Sequence, residues 1–320
     1  MQYNLNAENL WLVGCGAMAI QHAKALENLG VKFNVIGRGE DSARKFTEET
    51  GIPVLTGGIG NAAETLKIPQ KAIVVIDVEA LSAECCHLID LGVKSILLEK
   101  PAGLSIPEVQ AVVNKSKAAG ATVYIAYNRR FYASVQKAKE IIREDGGVTS
   151  FNCEFTEWGT TLLKTTEGRQ IVLDHIFFVN STHPLDLAFF LGGTPKELSC
   201  YTTGSCSWCT QAKAFAGAGI TDTGALFSYQ ANWDAPGRWS VEVLTAKHRL
   251  ILRPMEQLQI QNINSVKIEP CEIDDKIDHK YKAGLYMQAK AFLEDDTTDL
   301  IDIEKHRHHM DLYERIRTGS

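Results

Sequence analysis

The sequence lacks any apolar run approaching the 18 or so residues that a membrane span needs, and it lacks an excess of basic residues. Its 33 lysines and arginines are outnumbered by 39 aspartates and glutamates, a formal net charge of −6. A mildly acidic chain has no overall pull toward nucleic acid or anionic lipid, and no partner of either kind is expected. A local basic pocket for phosphate remains compatible with that balance. Glycine and proline are sparse, 25 and 9 of 320 residues, which excludes fibrous and low-complexity architectures. Met1-Gln2-Tyr3-Asn4 has neither the basic nor the apolar region of an export signal. The eight cysteines are therefore expected as reduced thiols of a cytoplasmic protein.

What is present is ordinary globular material. Hydrophobic residues make up 45% and charged residues 22%, enough to bury large cores, and the length points to two domains at about 150 residues each. Over residues 1–125 short apolar runs alternate with helical stretches. Leu10–Val13, Phe33–Ile36, Ala72–Ile76, Ser95–Leu98 and Thr122–Ile125 read as strands, and their continuous apolar character is that of a parallel sheet buried on both faces. Ala17–Leu29, a stretch capped by Ser42, Leu81–Leu91 and Ile106–Ala119 supply helices between them. The class is α/β, with an N-terminal open, doubly wound sheet.

Residues 126–320 have a different texture. After one amphipathic helix around Val135, Ala138 and Ile141, six β-rich stretches follow between Phe151 and Arg253 with short links. They predict an α+β domain with a large, mostly antiparallel sheet. A helix near His183–Leu191 interrupts the strands, and Leu285–Leu293 and His308–Ile316 close the chain.

Gly14-Cys15-Gly16-Ala17-Met18-Ala19 follows the first strand and opens the first helix. In that context G-x-G-x-x-A is a dinucleotide fingerprint. Gly14 permits the tight turn, Gly16 lets backbone approach a pyrophosphate, and small Ala19 lets helix and strand pack closely. A plain glycine turn is the alternative. Cofactor contacts are assigned to Gly14, Gly16, Ala17 and Met18. About 20 residues on, an NAD enzyme usually places an acidic residue against the ribose, whereas this chain has Gly37-Arg38-Gly39. Arg38 is suited to a 2′-phosphate, so NADP(H) is favoured and NAD(H) stays usable.

The strand ending at Leu98 runs into Glu99-Lys100-Pro101, where an open α/β sheet lines its ligand crevice. A lysine there can exchange a proton with a substrate oxygen, and Pro101 restricts the backbone of Lys100 to extended geometry. Glu99 and Pro101 count among the cofactor-binding candidates. With these pieces, with Tyr127-Asn128-Arg129-Arg130-Phe131, with His183-Pro184-Leu185-Asp186-Leu187 and with the late Tyr286-x-x-Gln288-x-x-x-Phe292, the sequence resembles the glucose–fructose oxidoreductase / inositol dehydrogenase (Gfo/Idh/MocA) family over essentially its whole length. The resemblance implies a Rossmann domain followed by the sheet-rich second domain. It implies oxidation of a hydroxyl, or reduction of a ketone, on a sugar or cyclitol. It also implies homodimers or homotetramers built through the open face of the second sheet. Lys100 then resembles the family's catalytic lysine. His183 resembles the histidine that binds the reacting hydroxyl or assists proton transfer, and the two are expected to converge beside the nicotinamide.

Two positions depart from the family pattern. The family often has Asp four residues before that histidine, where this chain has Val179, and its usual Thr-Pro segment is replaced by Asp77-Val78-Glu79. Asn180 is one residue off and is assigned to a substrate hydroxyl, while Asp174 in Asp174-His175 is a candidate to replace the missing acid. Asp77 is placed near the nicotinamide or its ribose, with a solvated loop charge as the alternative. Arg129-Arg130 either grip a substrate anion or bridge the two domains. Trp158 and the Arg238-Trp239 pair are candidate sugar-pocket residues, although core packing is the commoner fate of tryptophan.

Cys206-Ser207-Trp208-Cys209 has zinc or redox spacing but no second pair to complete a tetrahedral site, so no metal is expected. His306, His308 and His309 read as a surface cluster. The functional reading is an NAD(P)-dependent oxidoreductase acting on a sugar-like or nucleotide-linked small molecule. The alternative is a non-catalytic dinucleotide- or sugar-sensing protein on the same scaffold, which Val179 favours and the pairing of Lys100 with His183 opposes. A non-sugar substrate such as a linear tetrapyrrole or a diol is a third reading.

Overall fold

The computed structural model describes residues 10–320, so the segment read for an export signal lies outside the described residues. In chain order the elements are β1 (Leu10–Val13), α1 (Ala17–Asn28), β2 (Asn34–Ile36), α2 (Glu40–Thr50), β3 (Val54–Leu55), α3 (Gly58–Thr65), β4 (Lys71–Val74), α4 (Leu81–Asp90), β5 (Ser95–Leu98), α5 (Ile106–Ala119) and β6 (Thr122–Ile125). There follow α6 (Ala133–Glu144), β7 (Ser150–Glu154), α7 (Gly159–Thr165), α8 (Gln170–Asp174) and α9 (Thr182–Gly192). The strands β8 (Pro195–Thr203), β9 (Ala214–Thr221), β10 (Leu226–Asn232), β11 (Ser240–Leu244), β12 (His248–Leu252), β13 (Gln259–Asn262) and β14 (Ile268–Pro270) come next. The chain closes with α10 (Lys276–Lys280), α11 (Leu285–Leu293), β15 (Ile301–Asp302) and α12 (Ile303–Thr318).

The first sheet has the order β15-β6-β5-β4-β1-β2-β3, parallel except for β15. The strand order 3-2-1-4-5-6 within it is that of a doubly wound dinucleotide fold. Its strands are buried because helices cover both faces, which explains the uninterrupted apolar runs. Local chemistry sets the helix ends. Ser105 accepts from the Glu108 amide while Glu108 reaches back to Leu104 N at 2.9 Å, and Gly120 ends α5 in the left-handed conformation. Helix α2 starts earlier than the expected Ser42 cap. Gly39 is its N-cap, and Glu40 and Asp41 supply negative charge to the first turn.

The chain divides into two units, one running to Asn128 and resuming over Ile277–His308, the other comprising Arg129–Lys276 and His309–Ser320. The return of residues 277–308 to the first unit differs from a simple division near residue 125. It has visible causes: β15 pairs with β6, and α11 packs on α1. Lys71 Nζ donates to the carbonyls of Phe292 and Leu293, both at 3.0 Å, and so closes the C-terminus of α11.

The second unit is built on an eight-stranded sheet of order β14-β13-β12-β11-β7-β10-β9-β8, antiparallel except between β7 and β10. Strand β10 alternates strictly, with Phe227, Tyr229 and Ala231 buried. Phe151, Phe189 and Phe227 pack together there, as do Phe155, Phe177 and Phe215. The other face carries Tyr201 at 69% and Leu226 at 61% exposure.

Helix α1 also buries His22 completely, with no hydrogen-bond partner for either ring nitrogen among the described residues. Burial, with the nearby Lys282 ammonium, pushes its pKa down to about 4. The unfolded chain therefore binds a proton that the folded one refuses. The stability is whole above pH 6.5 and is lost as pH falls toward 4, by about 3 kcal/mol in all. His22→Leu is expected to flatten this part of the stability profile, as read by urea unfolding between pH 4 and 7.5. An unchanged slope would show that another group sets it.

Candidate active site

In the first unit, strands β1, β4, β5 and β6 end in register, Val13 opposite Val74, Val74 opposite Leu98, and Leu98 opposite Ile125. The residues just beyond them consequently share one rim. Gly14 has φ +119°, and a Cβ there would collide with the carbonyl oxygen of Val75, so only glycine fits the turn. Gly16 is the N-cap of α1, and the space where its Cβ would lie is open. The helix has no side-chain cap and no acid in its first turn. Its first N–H groups are thus left for an anion. Ala17 is exposed and Met18 half-buried beside them. These features fit a dinucleotide pyrophosphate.

Gly37, which follows β2 and precedes Arg38, packs against this turn. A Cβ there would sit 2.8 Å from both Cys15 Sγ and Val54 Cγ1. Its absence lets the Cys15 side chain tuck beneath the loop, where burial pushes the thiol pKa up. Arg38 follows at the end of β2 and is exposed, as is Asp77 beyond β4.

Glu99, Lys100 and Pro101 lie at the same rim after β5. Glu99 N donates to Val74 O at 3.0 Å, and the Glu99 carboxylate accepts from Lys100 N at 3.1 Å. The Lys100–Pro101 peptide is cis. The carbonyl of Pro101 accepts from His306 Nε2 at 2.9 Å. His306 and His309 are buried, which corrects the expectation of a surface histidine cluster. The sequence pattern hid this because the surrounding residues of α12 are polar.

In the second unit the paired arginines part company. Arg130 is buried and doubly bonded to Asp186, Nε to Oδ2 at 2.8 Å and Nη2 to Oδ1 at 2.6 Å. That pair fastens the chain to α9 within the second unit. Arg129 instead stacks on Trp239, 4.7 Å from the ring centre, and desolvation lowers its pKa. His183, in the first turn of α9, is buried with its ring 5.8 Å from the same indole. The turn before it, Phe177–Ser181, is a π-helical segment, a distortion frequent at functional sites.

Around Trp239 stand the other candidates. Arg238 lies 4.3 Å from Trp239 and 4.7 Å from Trp158. Trp158 is 49% exposed and donates from its indole N–H to Gly237 O at 2.7 Å. Asn180 donates to Glu157 Oε2 at 2.9 Å, and Ser181 to Glu157 Oε1 at 2.7 Å. Glu157, just past β7, is the site residue that sequence reasoning missed. An acid next to an exposed tryptophan is normally solvated, and only its neighbour Trp158 carried a signal. Asp174 does not replace the missing family acid. Its side chain accepts from Gln170 and from the backbone of Thr210, which ties it to the loop before β9. Among the described residues the eight thiols are free and no group of three or more potential metal ligands comes together.

Glu157 is fully buried, and desolvation raises its pKa to about 7 against the opposing hydrogen bonds of Ser181 and Asn180 and the charge of Arg238. The folded chain holds this proton more tightly than the unfolded one. The folded state is therefore progressively destabilised as pH rises from 4.5 to 7, by about 3 kcal/mol in total. Glu157→Gln removes the ionisation. Its stability relative to the parent is expected to rise between pH 5 and 8 in thermal unfolding, and a constant difference would refute the assignment.

No protein-family model and no curated protein matches the chain. Solved structures do. The UDP-N-acetylglucosamine 3-dehydrogenase GnnA from Acidithiobacillus ferrooxidans is 14% identical with a TM-score of 0.76, covering 97% of each chain. An oxidoreductase from Agrobacterium radiobacter, solved with NAD+, L-tartaric acid and magnesium, is 15% identical with a TM-score of 0.80, over 98% of this chain and 96% of that one. The WlbA dehydrogenase from Bordetella pertussis, solved with NADH and UDP-GlcNAcA, is 14% identical with a TM-score of 0.74, again over 98% and 96%. The chain shares the two-unit fold of these solved oxidoreductases.

Proposed function

We propose that this protein is an NAD(P)-dependent oxidoreductase that moves a hydride between nicotinamide and a secondary hydroxyl or ketone of a sugar or sugar-derived substrate. The observation that carries the reading is the shared rim of the first sheet. The uncapped Gly14–Gly16 turn and the Glu99-Lys100-Pro101 turn follow strands whose ends are in register. The similar structures support it, since those with stated activities act on sugars or nucleotide sugars.

The cofactor, when bound, supplies the hydride chemistry. Gly14, Gly16, Ala17 and Met18 bind its phosphates through backbone, and Arg38 favours a 2′-phosphate and hence NADP(H). Lys100 Nζ gives a proton to the substrate oxygen in reduction and takes one in oxidation. Its backbone is held by the Glu99 carboxylate on one side and, through Pro101, by His306 on the other. His183 hydrogen-bonds the same substrate oxygen. Arg129, Trp158 and Asn180 belong to the substrate side. The exposed face of the second sheet, with Tyr201 and Leu226, is the surface through which copies assemble. The eight free thiols suit the reducing cytoplasm.

Lys100→Met is expected to lower turnover roughly 10²–10⁴-fold, the contribution of a positioned proton donor, while NADPH binding stays as it was. The measurement is steady-state reduction of keto-sugars alongside fluorescence titration of NADPH, and unchanged turnover removes Lys100 from the chemistry. For Arg38, NADPH is expected to bind more tightly than NADH. Arg38→Ala should erase a preference of about 10–100-fold, the worth of a charge-assisted hydrogen bond. Tighter NADH binding to the parent protein would reverse the cofactor assignment.

A further inference from the structure

Arg238 is held in an unusual way for a half-exposed arginine. Its guanidinium lies 4.3 Å from the centre of Trp239 and 4.7 Å from that of Trp158. Both indoles lie within cation–π distance of it. Its one hydrogen bond among the described residues is from Nη1 to Glu157 Oε2, and at 3.4 Å it is long. Nε and Nη2 have no acceptor among the described residues, and the side chain is 41% exposed.

A second cation lies close to it. Arg129 stacks on the same Trp239, and each guanidinium opposes the other. Glu157, Glu256 and the Tyr132 phenol all act on Arg129, so Glu157 acts on both arginines. Its oxygens are engaged by Ser181 and Asn180, and its burial favours the protonated form. Arg130 shows what a satisfied arginine looks like here, doubly bonded to Asp186 and covered by Phe190. A pre-oriented guanidinium with open donors, a second cation behind it and an exposed aromatic face beside it suits an oxyanion attached to a sugar ring.

We infer that Arg238 is the specificity residue for an anionic group of the substrate, a carboxylate or phosphate carried by the sugar, and that Glu157 is its positioning residue. This rests on the proposed sugar dehydrogenase reading and narrows its substrate to acidic sugars or sugar phosphates, nucleotide sugars included.

The test is calorimetric binding of glucose, glucuronate and UDP-glucose to the NADP+-loaded protein, its Arg238→Met and Arg238→Lys variants, and Glu157→Gln. The parent is expected to bind at least one anionic probe tenfold or more tighter than glucose. Arg238→Met should bring that probe down to the level of glucose. Arg238→Lys should fall between, since an ammonium keeps the charge and loses the planar fork. Glu157→Gln should weaken the anionic probe several-fold, and by more than it weakens glucose. A preference for glucuronate identifies a carboxylate, and one for UDP-glucose a phosphate. Equal binding of all three probes, no binding of any, or an anionic preference that survives Arg238→Met overturns the inference. NADPH fluorescence on the same samples separates the two readings, because a parent protein that binds no dinucleotide defeats the dehydrogenase assignment whatever the probes do.

Discussion

The second unit is organised by one buried ion pair, Arg130 with Asp186. Both side chains are almost entirely out of water, and two short hydrogen bonds join them. Removing either partner of such a pair leaves an uncompensated charge in the interior, at about 3–5 kcal/mol. The pair joins the segment leaving β6 to α9, and it fixes what lies next to each partner. One residue before Arg130 is Arg129, stacked on Trp239. One helical turn before Asp186 is His183, against the same indole. Two sequence motifs that look equally chemical thus divide their labour, half of each anchoring and the other half brought to the aromatic cluster.

A comparable division holds in the first unit. The Glu99-Lys100-Pro101 turn is positioned by the rim of the sheet and by His306, which belongs to a segment that returns to this unit late in the chain. Tyr127 lies 5.7 Å from the His306 ring, so the end of β6 and the start of α12 meet under the turn. This gives the discontinuous first unit a purpose. The lysine is held by backbone bonds on both sides, and one of them comes from about 200 residues further along.

The fold was legible in the sequence because parallel strands buried on both faces leave continuous apolar runs, and sheet strands with one open face leave alternation. The fingerprint turn was legible because its glycines obey a local steric rule. Short pieces left no such pattern: β3 has two residues, β14 has three, and α8 has five. The return of residues 277–308 is a tertiary pairing, β15 with β6, that no local periodicity encodes. His306 and Glu157 stayed hidden for a related reason. Each is a polar residue in a polar neighbourhood, and what makes it special is burial beside partners far away in sequence. Glu157 finds its donors at 180 and 181.

Those donors bear on the departure at position 179. The resemblance places an acid there, and this chain has valine. The carboxylate that meets the same π-helical turn comes instead from the end of β7, bonded to the two residues that follow Val179. A carboxylate arriving from a strand is held by the turn and does not ride on it. It also contacts Arg238, which an acid at 179 need not do. Because burial holds Glu157 near the point of half-ionisation at neutral pH, its claim on Arg238 is weak, whereas Asp186 holds Arg130 outright. One arginine is consumed by the fold, and the other keeps most of its donors available. The two differ in the desolvation and geometry of their carboxylates, and not in residue type.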